Sequence, residues 1–183
     1  MHMNFDVNTF VKIRHDLHKN PELGFCEDNT KKKIVKFLTK IGLEVHQGVG
    51  VVGVLKVGKG NKTIALRADM DALPIKEKSI HDYVSNSVGI MHACGHDVHT
   101  SSLLGTAKIL QEIRGEFEGT VKLLFQPAEE KAPGGASIMI QDGALQNPIP
   151  SGILGQHVAP NIPVGKIGFR EGMYMASADE LYL

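Results

Sequence analysis

The chain has 183 residues, enough for one sizeable core or at most two small domains, and 42% of them are hydrophobic, which supports ordinary globular folding. Twenty basic side chains balance twenty acidic ones, so no net field draws the chain onto nucleic acid or an anionic membrane surface, and small molecules or proteins are the expected partners. The opening MHMNFDVNTF lacks a basic segment followed by an apolar one, and no apolar run approaches the roughly 18 residues that span a bilayer, so a cytoplasmic location is expected.

Two amphipathic helices are predicted first. Val7, Phe10, Ile13 and Leu17 share one stripe before Pro21, and Ile34, Phe37, Leu38 and Ile41 share another before Gly42. The pattern then shortens to β-type runs at 51–57 and 63–68, read as a hairpin around GKGN. Further on, 98–110 reads as a helix, 120–125 as a buried strand, 134–145 as a short helix and 152–158 as another strand. Such alternation predicts an α/β fold with a largely parallel sheet covered on both faces. The two cysteines, Cys26 and Cys94, lie far apart in a chain too large to need stapling, so free thiols are expected.

Donor side chains gather at the C-terminal ends of the predicted strands or just beyond them. Asp69 and Asp71 follow the second run, Glu129 and Glu130 follow the strand at 120–125, and His157 closes GILGQHV. In an open α/β sheet that edge is where ligand sites form, so segments distant in sequence converge there. MHACGHDVHT adds His92, Cys94, His96 and His99. In an extended segment the spacing of Cys94 and His96 puts both side chains on one side. Cys, His and carboxylate suit a transition metal such as zinc, with nickel, cobalt and manganese as competitors, and do not suit calcium or magnesium. Taken singly, Cys94 reads equally well as an inert buried thiol; PAEE and GQHV at two further strand ends shift the balance to metal.

The adjacent carboxylates of Glu129 and Glu130 diverge. On a solvated face they need no explanation, but after an apolar strand and Pro127 one can bind metal while the other takes a proton from water whose pKa a metal lowers from about 15.7 to about 7. Asp71 is read as a carboxylate that holds a ligand histidine, and Asp69 as either that or a turn former. His99 and His92 fit helix capping or packing as well as metal binding. His2, His15, His18, His46 and His81 stand in segments without other donors and read as surface or packing residues.

RADMDALP, MHACGHDVHT, FQPAEE with GGA downstream, and GQHVAP resemble, in order and spacing, the M20 metallopeptidases. The likeness is to the amidohydrolase branch, which includes hippurate hydrolases, N-acetyl-amino-acid and N-acetyldiaminopimelate deacetylases and auxin-conjugate hydrolases, and it covers nearly the whole chain. The resemblance implies a three-layer α/β/α zinc-peptidase-like domain that hydrolyses the amide bond of N-acyl amino acids. It also implies two divalent transition-metal ions held by Cys94, His96, Glu130 and His157, with Glu129 as general base and acid and Asp71 as the supporting carboxylate. Val98 stands where the family often has glycine. Family members continue with a lid and dimerisation domain and then a last histidine ligand. On this reading residues 1–175 are the N-terminal part of the catalytic domain, 176–183 open the lid, and the complete protein is a homodimer through that lid. The 183 residues alone are then expected to be inactive; a catalytically silent metal-binding or interaction module is the alternative. A third reading makes Cys94 a nucleophile activated by His96, which leaves the glutamate pair and His157 without a role.

Overall fold

The computed structural model describes residues 5–173. The expected start of a lid at 176–183 and the residue His2 lie outside the described residues.

Helix α1 (Val7–Lys19) begins at Asp6, whose carboxylate accepts the Asn8 N–H at 3.0 Å, and ends at Asn20 ahead of Pro21. Phe10, Ile13 and Leu17 form its inner stripe. Helix α2 (Asp28–Lys40) buries Thr30, Ile34 and Leu38. Its first N–H groups are met by a side chain from outside the helix: the Glu22 carboxylate accepts from Asn29 and Thr30 at 3.1 and 2.7 Å.

Five strands follow the order β1-β2-β4-β3-β5 across one sheet. They are β1 (Glu44–Gln47), β2 (Val51–Val57), β3 (Thr63–Asp69), β4 (Gly119–Gln126) and β5 (Ile153–Gly155), with α3 (His96–Glu112) between β3 and β4 and α4 (Gly135–Gln141) between β4 and β5. β3 runs parallel to both β4 and β5, whereas β2 runs antiparallel to both of its neighbours, β1 and β4. The sheet is therefore mixed, and its parallel half carries the donor residues.

The expected hairpin around GKGN does not form. β2 and β3 are not neighbours, because β4 lies between them and hydrogen-bonds to both. All eight residues of β4 are buried, as a strand covered on both faces and paired on both edges must be. Period and turn residues mark strands, but they do not say which strand supplies the neighbour. β1 is an element the sequence reading lacked; its four residues are mostly exposed and carry no apolar alternation.

Side chains alternate across the sheet into two cores. Val121, Leu123 and Phe125 of β4 pack with Val51, Leu55, Ile34, Leu38, Leu104 and Ala107 under α2 and α3. On the other face Ala65 and Leu124 pack with Met139 of α4. The outcome is a three-layer α/β/α arrangement. Burying a side chain such as Leu123 or Phe125 contributes roughly 1.5–3 kcal/mol, so the central strand anchors both layers. In register, Asp69 of β3 stands beside Gln126 of β4, and Arg67 stands beside Gly155 of β5. The three parallel strands thus end at one edge.

Candidate metal centre

From that edge the chain delivers Asp71 just after β3, Glu129 and Glu130 just after β4, and His157 just after β5. Cys94 and His96 arrive from the start of α3, which begins two residues earlier than the periodicity predicts, so His96 is its first residue. Cys94 and His96 do not share an extended segment. Gly95 between them has φ +94°, a left-handed conformation that side-chain-bearing residues rarely adopt, and a Cβ there would run into the side chain of Val158. This turn still brings Cys94 and His96 together, with His157 as the third member: one ligand atom from each lies within 4.8 Å of the other two. Cys94 Sγ and His157 Nε2 are 3.3 Å apart.

Hydrogen bonds determine which ring nitrogens remain available. Asp71 is fully buried and places Oδ1 3.2 Å from His96 Nδ1 while Oδ2 accepts the Glu130 N–H at 3.0 Å. A carboxylate only accepts, so Nδ1 of His96 carries the proton and Nε2 presents its lone pair to the cluster. His157 is arranged likewise: Nδ1 donates to the Val158 carbonyl at 2.7 Å, so Nε2 turns its lone pair to Cys94 Sγ. His99 differs, since Nδ1 lies 2.6 Å from Asp69 Oδ1 and Nε2 accepts the Val158 N–H at 2.9 Å. Both of its nitrogens are occupied, which makes it a fastener between β3 and the segment after β5.

Nε2 of His96 is buried and has no hydrogen-bond partner among the described residues. Around it stand Asp69 Oδ1 at 3.6 Å, Glu130 Oε1 at 3.7 Å and Glu129 Oε2 at 3.9 Å, all too long for good hydrogen bonds. One ligand atom each from His96, Glu129 and Glu130 again falls within 4.8 Å. A buried lone pair facing carboxylates and a thiol is a costly arrangement without a cation. The donor set of imidazole, thiol and carboxylate suits a transition ion, so the residues present fit a metal.

The electrostatics agree. Burial first, then the hydrogen bond to Glu130 and its charge, push the Cys94 thiol up to about 12. Burial, and next the Glu130 charge, also raise the Glu129 carboxyl above its ordinary value. His96 is raised: burial opposes its charged form, but the Asp71 hydrogen bond and the surrounding carboxylates outweigh it. For Asp69, burial works upward and is overcome by His99, His96 and Arg67, so the group is held down at about 2. Arg67 Nη1 donates to Asp69 at 2.6 Å, while its other nitrogens reach Gln126.

Glu27 is a contributor that sequence reasoning missed. Its buried Oε1 accepts the Ala128 N–H at 2.7 Å, and Ala128 has φ +45° immediately before Glu129 and Glu130. An alanine in the left-handed region needs such support. Glu27 precedes α2 as one acid among several polar neighbours, and nothing local in the sequence distinguishes it. His92 is buried with neither nitrogen hydrogen-bonded, and burial drives its pKa down to about 4. Both cysteines are free.

A three-layer α/β/α domain with a His, Cys and carboxylate cluster at the ends of its parallel strands defines a metallohydrolase class of fold. Residues 65–178 match the family described as Peptidase family M20/M25/M40, and the chain belongs to it. Among curated relatives, N-acetylcysteine deacetylase of Bacillus subtilis (strain 168) is 43% identical over 173 residues, covering 92% of this chain and 45% of that protein. Hippurate hydrolase of Campylobacter jejuni is 47% identical over 176 residues, covering 93% and 44%. The crystal structure of Bacillus subtilis YXEP, described as a dinuclear metal binding peptidase from the M20 family, superposes with a TM-score of 0.85 at 43% identity, covering 90% of this chain and 46% of that one. The chain spans less than half the length of these relatives.

Proposed function

We propose that this chain carries the metal-binding and proton-transferring residues of an amidohydrolase that cleaves the amide bond of N-acyl amino acids. The observation that carries the reading is the buried, unpartnered Nε2 of His96, aimed among Cys94, His157, Glu129 and Glu130. Relatives named for N-acetylcysteine and hippurate support the substrate class. In this assignment Cys94, His96, Glu130 and His157 hold two divalent ions, zinc, manganese, nickel or cobalt, and Asp71 fixes the tautomer of His96. The bound ions supply Lewis acidity for the acyl carbonyl and for water. Glu129 takes the proton of the attacking water and returns it to the departing amine nitrogen, a role its carboxylate beside His96 and Glu130 suits.

The Glu129 side chain is 41% exposed and His157 is exposed. The described residues therefore leave water in contact with the cluster and offer the substrate one wall. On this ground the 183-residue polypeptide alone binds metal as a silent module, and the whole protein is the enzyme. Among the described residues no helix is long and apolar enough to cross a membrane. The domain division near residue 175 and a homodimer formed by a lid belong to the same proposal.

The test is release of free amine from N-acetyl and N-benzoyl amino acids with added manganese, zinc, cobalt or nickel, run on the full-length protein and on residues 1–183. Metal-dependent release by the full-length protein alone supports both statements. Equal turnover by the 183-residue polypeptide overturns the silence of the short chain, and no release from either overturns the amidohydrolase reading.

A further inference from the structure

A second cluster of ligand-type side chains stands apart from the residues assigned above. His18 near the end of α1 and Glu77 and His81 in the coil between β3 and α3 each place one ligand atom within 4.8 Å of the others. Nε2 of His18 lies 3.1 Å from Glu77 Oε1, and Nε2 of His81 lies 3.2 Å from the same oxygen. A tetrahedral zinc with ligand bonds of about 2.0 Å separates its ligand atoms by about 3.3 Å. Both histidines already stand at that spacing from Glu77 Oε1, and the two histidine ligand atoms lie within 4.8 Å of each other.

Each donor is held in place by a partner of its own. Asp97 Oδ2 lies 2.8 Å from His18 Nδ1 and forms an ion pair with Arg14, whose Nε is 2.7 Å away, so Nδ1 of His18 carries a proton and Nε2 points at Glu77. This is the carboxylate and histidine pairing that orients metal ligands, and it repeats what Asp71 does for His96. Glu77 is fixed through its second oxygen, which accepts the Ser85 N–H at 2.6 Å. The His81 ring stacks on Tyr83 at 3.8 Å, and Tyr83 stacks in turn on His15 at 3.8 Å.

The pocket is also short of hydrogen bonds. His81 Nδ1 and both nitrogens of His92 are buried without partners, and the His92 ring centre is 6.4 Å from that of His18. If no cation is present, two imidazoles must share one carboxylate oxygen, and His18 must be doubly protonated to satisfy both Asp97 and Glu77.

We propose that His18, Glu77 and His81 form a second, separate site for a divalent transition ion, zinc-like in its preference for two imidazoles and one carboxylate. The His81 side chain is 31% exposed while those of His18 and Glu77 are nearly buried, so the ion enters from the His81 side and keeps its remaining position for water. Bound there, it fastens the coil before α3 to α1. Adjacent residues at the start of α3 serve the two clusters separately, His96 the first and Asp97 the second.

The probe is zinc alone, counted per chain by metal analysis after gel filtration of the full-length protein, with cobalt as a spectroscopic substitute. His81→Phe keeps a ring to stack on Tyr83 and removes the nitrogen. It should lower zinc by about one equivalent per chain and lower the thermal midpoint in zinc but not in chelator, while the thiolate-to-cobalt absorption of the Cys94 cluster stays unchanged. Glu77→Gln, of nearly the same shape, should lose the same equivalent. Equal zinc content and affinity in wild type and both variants would overturn the site and leave a proton-bridged His18 in its place. So would loss of the thiolate absorption in parallel with the zinc, since the variants would then be disturbing the first cluster.

Discussion

The backbone N–H of Val158 donates to Nε2 of His99 at 2.9 Å, and the opposite nitrogen of that ring meets Asp69 at 2.6 Å. One buried imidazole thus ties the end of β3 to the loop that carries His157, on the side of the cluster where the chain is most exposed. Replacing His99 by Ala removes the acceptor for Val158 and leaves the ionised Asp69 short of a donor. The expected loss is about 2–3 kcal/mol of stability, together with weaker metal binding because His157 is no longer placed. Urea denaturation in chelator measures the first effect, and competition against a chromogenic chelator measures the second. Unchanged metal affinity would deny His99 its fastening role.

Asp71 acts through His96, so its effect should appear in metal affinity. Asp71→Ala removes the acceptor for His96 Nδ1 and for the Glu130 N–H and should weaken metal binding by about 10–100-fold. Cys94→Ser should reduce occupancy after dialysis at least as far, because a hydroxyl is a poorer ligand for these ions than a thiolate. Equal occupancy in wild type and Cys94→Ser would count against the assigned ligand set.

The two adjacent glutamates should separate by phenotype. In the full-length protein, Glu129→Gln keeps metal content and loses turnover by at least about 10²-fold, since an amide cannot accept a proton from water. Glu130→Gln lowers metal content as well as turnover. Reversed phenotypes would exchange their roles, and the check is metal analysis alongside an amine-release assay on the same preparations.

Acid should reveal Asp69. The fold holds this buried carboxyl at about 2, below its ordinary 3.8. A depressed carboxyl stabilises the fold wherever it is ionised in both folded and unfolded states, and that stabilisation disappears as the pH falls from about 4 towards 2. The amount is about 2 kcal/mol. In metal-free protein, the drop in unfolding free energy between about pH 4.5 and 2.5 should be smaller by about 1.5 kcal/mol in Asp69→Asn than in wild type. Parallel curves would show that His99 and Arg67 do not hold the carboxyl down.

The sequence alone marked most of the elements and the donor types that gather at the strand ends. Apolar stripes at helical spacing marked α1 and α2, β-type runs marked β2, β3 and β4, and the placement of Asp71, Glu129, Glu130 and His157 after strands followed from those runs, because period and donor type are local properties. Cys94 and His96 could be paired by spacing, although the left-handed turn at Gly95 that actually pairs them was not visible. Only the tertiary structure decided that β4 enters between β2 and β3, since strand neighbours are chosen by burial over the whole sheet. It also decided how the histidines divide. His96 keeps a free lone pair, His99 spends both nitrogens, and His18, read as a surface or packing residue, is buried between Asp97 and Glu77. The physical reason is common to all three. A ring's role depends on what each nitrogen meets, and those partners come from residues 25 to 79 positions away in the chain.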